Sequence, residues 1–248
     1  MKYSILFLFL LFFSLTSKTK AQISPAGERF TYSFLKDGNE VAELNIKTEK
    51  NTEKIANQVC YRITAVGKIT AALGIVNFDN KVTSWIETKK LKPLKLHAYF
   101  DDGKKKTNYI TEYNLNTAKA TSYTLEQPND KRTSVFSQDT EDLFSAFYKI
   151  RKIDFKSLKT NDIIKIKLLT EPEKIEEVQL KYLGKKKMSI YNGEKDCYIL
   201  ILIAPKVDGL EDKSLRIAIT ADAQQIPAKL YARTRKGFIV GELKSYTK

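Results

Sequence analysis

The chain has 248 residues, with 43 lysines and arginines against 29 acids, and a formal net charge of +14. A single histidine and two cysteines supply no zinc-spaced ligand set, and any nucleophile–histidine site would have to use His97. The basic balance attracts anionic partners such as lipid headgroups, acidic glycans or nucleic acid, and export, argued next, disfavours nucleic acid.

Met1–Ala21 has the pattern of a secretory signal peptide. Lys2 provides a positive start, Ile5–Phe13 an unbroken apolar run, and Thr19-Lys20-Ala21 small residues at the −3 and −1 positions. The apolar run is too short to cross a bilayer core of about 30 Å as a helix. No cysteine follows the expected cleavage point. The sequence therefore predicts an exported protein, periplasmic or envelope-associated and not lipid-anchored. Residues 22–248 are expected to form a single β-rich domain without a transmembrane segment.

Phe30, Tyr32 and Phe34 alternate with polar residues, Asp37-Gly38 signals a hairpin, and Ala42, Leu44 and Ile46 return as its partner. Val59–Val66 is the next strand, Ile69–Ile75 is irregular, and strand pattern resumes from Val76 to Ile86. Pro93 opens Leu94–Phe100, which pairs through Asp101-Asp102-Gly103 with Lys106–Leu115, and Asn116-Thr117 turns into Ala120–Leu125. The lysine clusters Lys104–Lys106 and Lys185–Lys187 follow glycines, so both are placed at hairpin tips, where charge discourages strands from pairing with other chains.

Gln138–Arg151 is the one strongly helical stretch. Asp139 or Thr140 is expected to cap it, and Leu143, Ala146, Phe147 and Ile150 follow the spacing of a buried face. Phe144, Tyr148 and Arg151 form a second stripe beside the first, so the helix is apolar over too much of its girth to lie with its back in water. Beyond it, Ile164–Leu168 and Val178–Tyr182 alternate cleanly, with a turn at Glu171-Pro172-Glu173. Tyr198–Ala204 is apolar throughout, which suits a central strand under the helix. Leu215–Ile219, a turn at Asp222–Gln225, a strand opened by Pro227 and Phe238–Leu243 complete the pattern. The fold class is mainly β: a large curved antiparallel sheet or incompletely closed barrel of about a dozen strands, packed around one central α-helix. Cys60 and Cys197 lie in strands of opposite halves, and either a disulfide or two separate buried thiols fits the spacing.

No catalytic motif, phosphate-cradling glycine loop or metal-ligand spacing is present, and no cofactor is expected. Glu141 and Asp142 are adjacent on a helix and point apart, a poor arrangement for a paired acid and base. Several stretches together resemble an exported bacterial family known as domain of unknown function 3108. They are Gly27–Tyr32, Cys60–Lys68, Asp139–Leu143, Ser145–Tyr148 with Arg151, Tyr182-Leu183-Gly184, Thr220-Ala221-Asp222 and Ile226-Pro227. The likeness spans the chain after the leader and departs at Val76–Trp85. It implies export and carries no catalytic residue. More loosely, the layout is similar to periplasmic lipoprotein-carrier half-barrels.

Two functional readings follow. In the first, Phe144, Phe147 and Tyr148 line a cavity for a lipid, acyl chain or lipoprotein segment. In the alternative, a basic face docks to anionic lipid or glycan. A carboxylate-dependent hydrolase is the less favoured third. Of the charged residues within the family-like stretches (Glu28, Asp139, Arg151 and Asp222), Arg151 is expected to pair with an acid and lock helix to sheet.

Overall fold

A computed structural model describes residues 23–70, 77–101, 106–171, 174–205, 211, 213, 215–234 and 237–248. The expected leader falls outside these residues, as do Asp102-Gly103 of the expected turn at Asp101-Asp102-Gly103, Lys104-Lys105 of the cluster after it, and Pro172-Glu173 of the expected turn at Glu171-Pro172-Glu173.

The described residues form one mixed sheet of 16 strands and one helix. The strands are β1 (Arg29–Lys36), β2 (Asn39–Thr48), β3 (Glu53–Ile55), β4 (Gln58–Thr70), β5 (Asn77–Glu87), β6 (Pro93–Asp101), β7 (Lys106–Asn114) and β8 (Lys119–Thr124). They continue as β9 (Arg132–Val135), β10 (Thr140–Glu141), β11 (Ile163–Glu171), β12 (Lys174–Ile190), β13 (Gly193–Ala204), β14 (Arg216–Thr220), β15 (Pro227–Thr234) and β16 (Gly237–Thr247). The helix α1 spans Leu143–Arg151.

The order across the sheet is β10-β11-β12-β13-β14-β15-β16-β1-β2-β4-β5-β6-β7-β8-β9, with β3 added beside β4. Nearly every neighbour is antiparallel, because the chain turns by short hairpins; Asp37 and Gly38 both take positive φ, as a two-residue hairpin requires. The exception to the expected antiparallel sheet is β10, which runs parallel to β11. The seam between the halves is β1, paired on one side with β2 and on the other with β16.

The two ends of this path, β9 and β10, are not hydrogen-bonded to one another, so the sheet is not closed. Yet Val135 and Thr140 are five residue steps apart in sequence, a reach of roughly 18 Å at most. Laid flat, the fourteen inter-strand spacings would separate those edges by roughly 67 Å at about 4.8 Å each. The link through residues 136–139 therefore requires the sheet to bend back on itself.

Two expectations need correction. Lys185–Lys187 are not at a hairpin tip: they lie within β12, a 17-residue strand. Gly184, with φ of +99°, sits in a bulge between Tyr182 and Lys185, and the hairpin turn comes later, before Gly193. The helix also begins later than expected. Thr140 and Glu141 form β10, and Asp142 is the cap: its carboxylate accepts from the Ser145 backbone N–H at 2.7 Å while Ser145 Oγ accepts from the Asp142 N–H at 2.8 Å. Leu143, expected to be buried, is the first residue of the helix and 59% exposed; Ala146 of the same stripe is buried, as are Phe144, Tyr148 and Arg151 of the second.

Candidate functional site

At the C-terminal end of α1, the Arg151 guanidinium meets the Glu28 carboxylate in a two-pronged pair. Nη1 donates to Oε2 and Nη2 to Oε1, each at 2.8 Å. Both residues are essentially excluded from solvent, at 0% and 1% exposure. Glu28 also accepts from the Tyr148 hydroxyl at 3.0 Å and the Tyr246 hydroxyl at 2.9 Å, while Arg151 Nε donates to the Gln224 carbonyl at 3.2 Å. The rings of Phe30, Phe147 and Tyr148 surround the guanidinium at 5.1–5.5 Å. Burial disfavours the charged arginine, but its bonds to Glu28 outweigh that and hold its pKa above the ordinary value. Burial, and then the Glu28 charge, push the Tyr148 phenol well up, and the same causes take Tyr246 to about 12. Every strong donor and acceptor here is engaged, so the cluster pins helix to sheet instead of presenting a reactive group.

The helix α1 also faces a cleft of about 660 Å³. Phe144, Phe147 and Ile150 of the helix are on its wall, with Phe34 and Leu44 of the first half of the sheet, and Leu202 and Ile217 of the second. Gly241 of β16 lies beneath Phe34, where a Cβ would come within 2.8 Å of its ring. A smaller apolar lobe of about 180 Å³ adjoins it, sharing Val82, Phe100, Leu143 and Leu168. Leu143 and Phe100, 59% and 39% exposed, stand where the two spaces meet. Polar groups reach the wall sparingly; one of them, Lys229, is held by Glu242 at 2.6 Å. Lined this way, the space offers dispersion contact and exclusion of water, with few groups to orient a polar substrate.

The description "protein of unknown function (DUF3108)" matches residues 29–244, nearly all of the described chain. The chain belongs to the DUF3108 family. Among solved structures, a β-barrel-like protein of domain-of-unknown-function family DUF1849 from Brucella abortus is 11% identical with a TM-score of 0.56, covering 91% of this chain and 98% of that one. This likeness is one of fold. A Bacteroides fragilis protein described as exported, with a YmcC-like fold, is 10% identical (TM-score 0.33, covering 90% and 96%). A Parabacteroides distasonis protein described as a lipoprotein is 7% identical (TM-score 0.31, covering 90% and 95%). Among curated proteins none matches the sequence.

The remaining residues singled out in this DUF3108 chain are dispersed. Tyr148 turns away from the cleft into the Glu28–Arg151 cluster, and its hydroxyl also meets Thr48 Oγ1 at 3.1 Å. Asp139 is exposed and pairs with Lys167 at 3.3 Å. Asp222 caps its own turn, accepting from Thr220 Oγ1 and from the Gln224 and Gln225 N–H groups. Glu141 is buried between Lys92 at 2.6 Å and Lys149 at 3.1 Å. Asp142, fully buried, accepts a short bond from Ser84 Oγ as well as the Ser145 contact; burial nonetheless raises its carboxyl above the ordinary value of 3.8. Cys60 and Cys197 are separate free thiols, buried on β4 and β13, and each contacts a nearby carbonyl instead of the other sulfur. Among the described residues no group of three or more acids, cysteines or histidine could hold a metal, and no helix is long and apolar enough to cross a membrane.

Sequence reasoning missed most of the cleft wall. Leu44 and Ile217 each occupy the inward parity of an alternating strand, and that parity was the available signal; Leu202 lies in a stretch apolar at every position, where no parity shows. Nothing local marks Tyr246 as a partner of Glu28, because 218 residues separate them.

Proposed function

We propose that this DUF3108 chain is an exported, non-enzymatic protein that binds or carries an apolar ligand (a lipid, an acyl chain or a lipoprotein segment) between the curled sheet and its helix. The observation that carries this reading is the 660 Å³ cleft, walled by apolar side chains of both halves of the chain and by Phe144 and Phe147. An open cleft with an apolar wall of that extent is costly unless covered, because it leaves apolar surface in contact with water. The acids nearest the helix support the non-enzymatic part: Glu28, Glu141 and Asp142 are each consumed by bonds that position α1. The signal-like pattern of Met1–Ala21 supports a periplasmic or envelope location, with residues 22–248 as one β-rich domain around the helix.

The test starts from protein exported with its own leader and recovered from the periplasm. Native mass spectrometry and solvent extraction should find an apolar adduct, and the stripped protein should take up a fluorescent probe such as N-phenyl-1-naphthylamine. Leu44→Glu places a charge on the wall and should abolish uptake with the fold retained by circular dichroism. Wild-type protein with neither adduct nor uptake would overturn the proposal, as would undiminished uptake by a folded Leu44→Glu chain.

A further inference from the structure

The other face of the sheet carries a second concavity, of about 760 Å³, across β1, β2, β4, β5 and β6. Its origin is legible in the register. One cross-strand row runs Arg29, Lys47, Thr64, Thr83, His97, in which the central pair is small. The row on one side brings Arg62 against Trp85, and the row on the other brings Lys81 against Tyr99. Short threonines between long side chains leave a trough, with Thr64 and Thr83 hydroxyls 3.3 Å apart on its floor. Five strands span roughly 19 Å at about 4.8 Å per step, so the trough is long as well as shallow.

Its charge and fittings are one-sided. Four permanent cations, Arg29, Lys47, Arg62 and Lys81, line it against one acid, Glu49. Glu49 is spent on Lys47 at 2.7 Å, and Arg62 is held by Glu53 at 3.0 Å. Arg29 and Lys81 are exposed, and Arg29 is near enough to Glu49 to share its charge. The Trp85 indole is fixed by its Nε1–H donating to Glu53 at 2.9 Å, and His97 Nε2 is 2.8 Å from Asn108 Oδ1. The trough thus combines a positioned aromatic ring, hydroxyl and imidazole groups, and an excess of cations over acids.

We propose that this outer trough is a binding site for an acidic oligosaccharide. Charge complementarity selects an anion. The recessed hydroxyl floor and the fixed indole select a chain of polar rings with apolar faces that can enter the trough, whereas a flat bilayer surface would touch its rims and leave the floor empty. The site lies on the face opposite the apolar cleft, so the two would be occupied independently.

Isothermal titration calorimetry of the mature protein with tetragalacturonic acid, and with a neutral tetrasaccharide of the same length, tests this. The acidic probe should bind, with affinity that falls as salt rises, and the neutral one should bind at least about tenfold more weakly. The doubly exchanged R29E/K81E chain should lose at least about tenfold in affinity while keeping its uptake of the apolar probe, which shows that it is folded. Leu44→Glu should leave sugar binding unchanged. Failure to bind the acidic tetrasaccharide, equal binding of the neutral one, or undiminished binding by R29E/K81E would each overturn the assignment. So would binding of phosphatidylglycerol vesicles that R29E/K81E abolishes when the tetrasaccharide does not bind, since the trough would then serve a membrane.

Discussion

Arg151 is the largest of the fully buried side chains, and its charge is balanced by one carboxylate brought from 123 residues away. Removing either partner leaves the other charged and dry. Arg151→Met and Glu28→Gln should therefore each cost about 3–5 kcal/mol in denaturant unfolding. The double change should cost clearly less than the two losses added, because neither charge is then stranded. Full additivity would show that the pair is not coupled as the geometry requires. Asp142 makes a separate prediction with a definite sign. Its carboxyl is raised in the folded protein, so the native state holds the proton more tightly than the unfolded chain does. That group favours the native state most at low pH and withdraws the advantage as pH climbs from the unfolded value near 3.8 through the raised folded value. Asp142→Asn should remove this downward slope, and thermal melts across that window, compared with wild type, would reveal it. Of these residues the sequence singled out Glu28 and Arg151 and expected a bond between Arg151 and an acid. It could not choose Glu28 over Asp222, because that choice depends on how two distant strands are placed.

The helix is nine residues long, too short to persist in water by itself, so capping and packing decide whether it forms. Ser145→Ala deletes half of the capping box and should cost about 1 kcal/mol. The phase of the helix can be tested directly. Phe144, 2% exposed, should cost about 3–5 kcal/mol when cut to alanine, whereas Leu143, 59% exposed, should cost under about 1 kcal/mol. Similar losses at both positions would place the buried face wrongly. This contrast also shows where sequence reading stopped. Apolar spacing alone allowed two stripes and could not show that Leu143, the first helical residue after the Asp142 cap, stays exposed while Ala146 of the same stripe is buried. Local reading likewise misplaced Lys185–Lys187. A glycine followed by lysines reads locally as a turn, but β12 pairs with β11 over Lys174–Lys181 and with β13 over Gln179–Ile190, and it absorbs Gly184 as a bulge. Clean alternation, by contrast, located most of the other strands, because a half-buried strand has no cheaper way to arrange its side chains.

At the scale of the molecule, the described residues form sixteen strands where about a dozen were expected; the surplus includes β3, β9 and β10, of two to four residues each, too short to show a period. The order of the strands was not legible at all, since nothing in β1 or β16 announces the other. Yet β1 and β16 pair along their length, from Arg29 with Thr247 to Lys36 with Ile239. Deleting residues 237–248 would bare one edge of β1 and one of β15 and should yield an aggregation-prone chain with no cooperative melt; a soluble, cooperatively folding truncation would contradict the seam. That seam sets a timetable. A chain threaded through a translocation channel from its front end delivers β1 first and its second neighbour last, so the opening strand stays one-sided until the rear arrives. Because Gly241 of that final strand also lies in the apolar wall, the cleft is complete only once the last strand is in place.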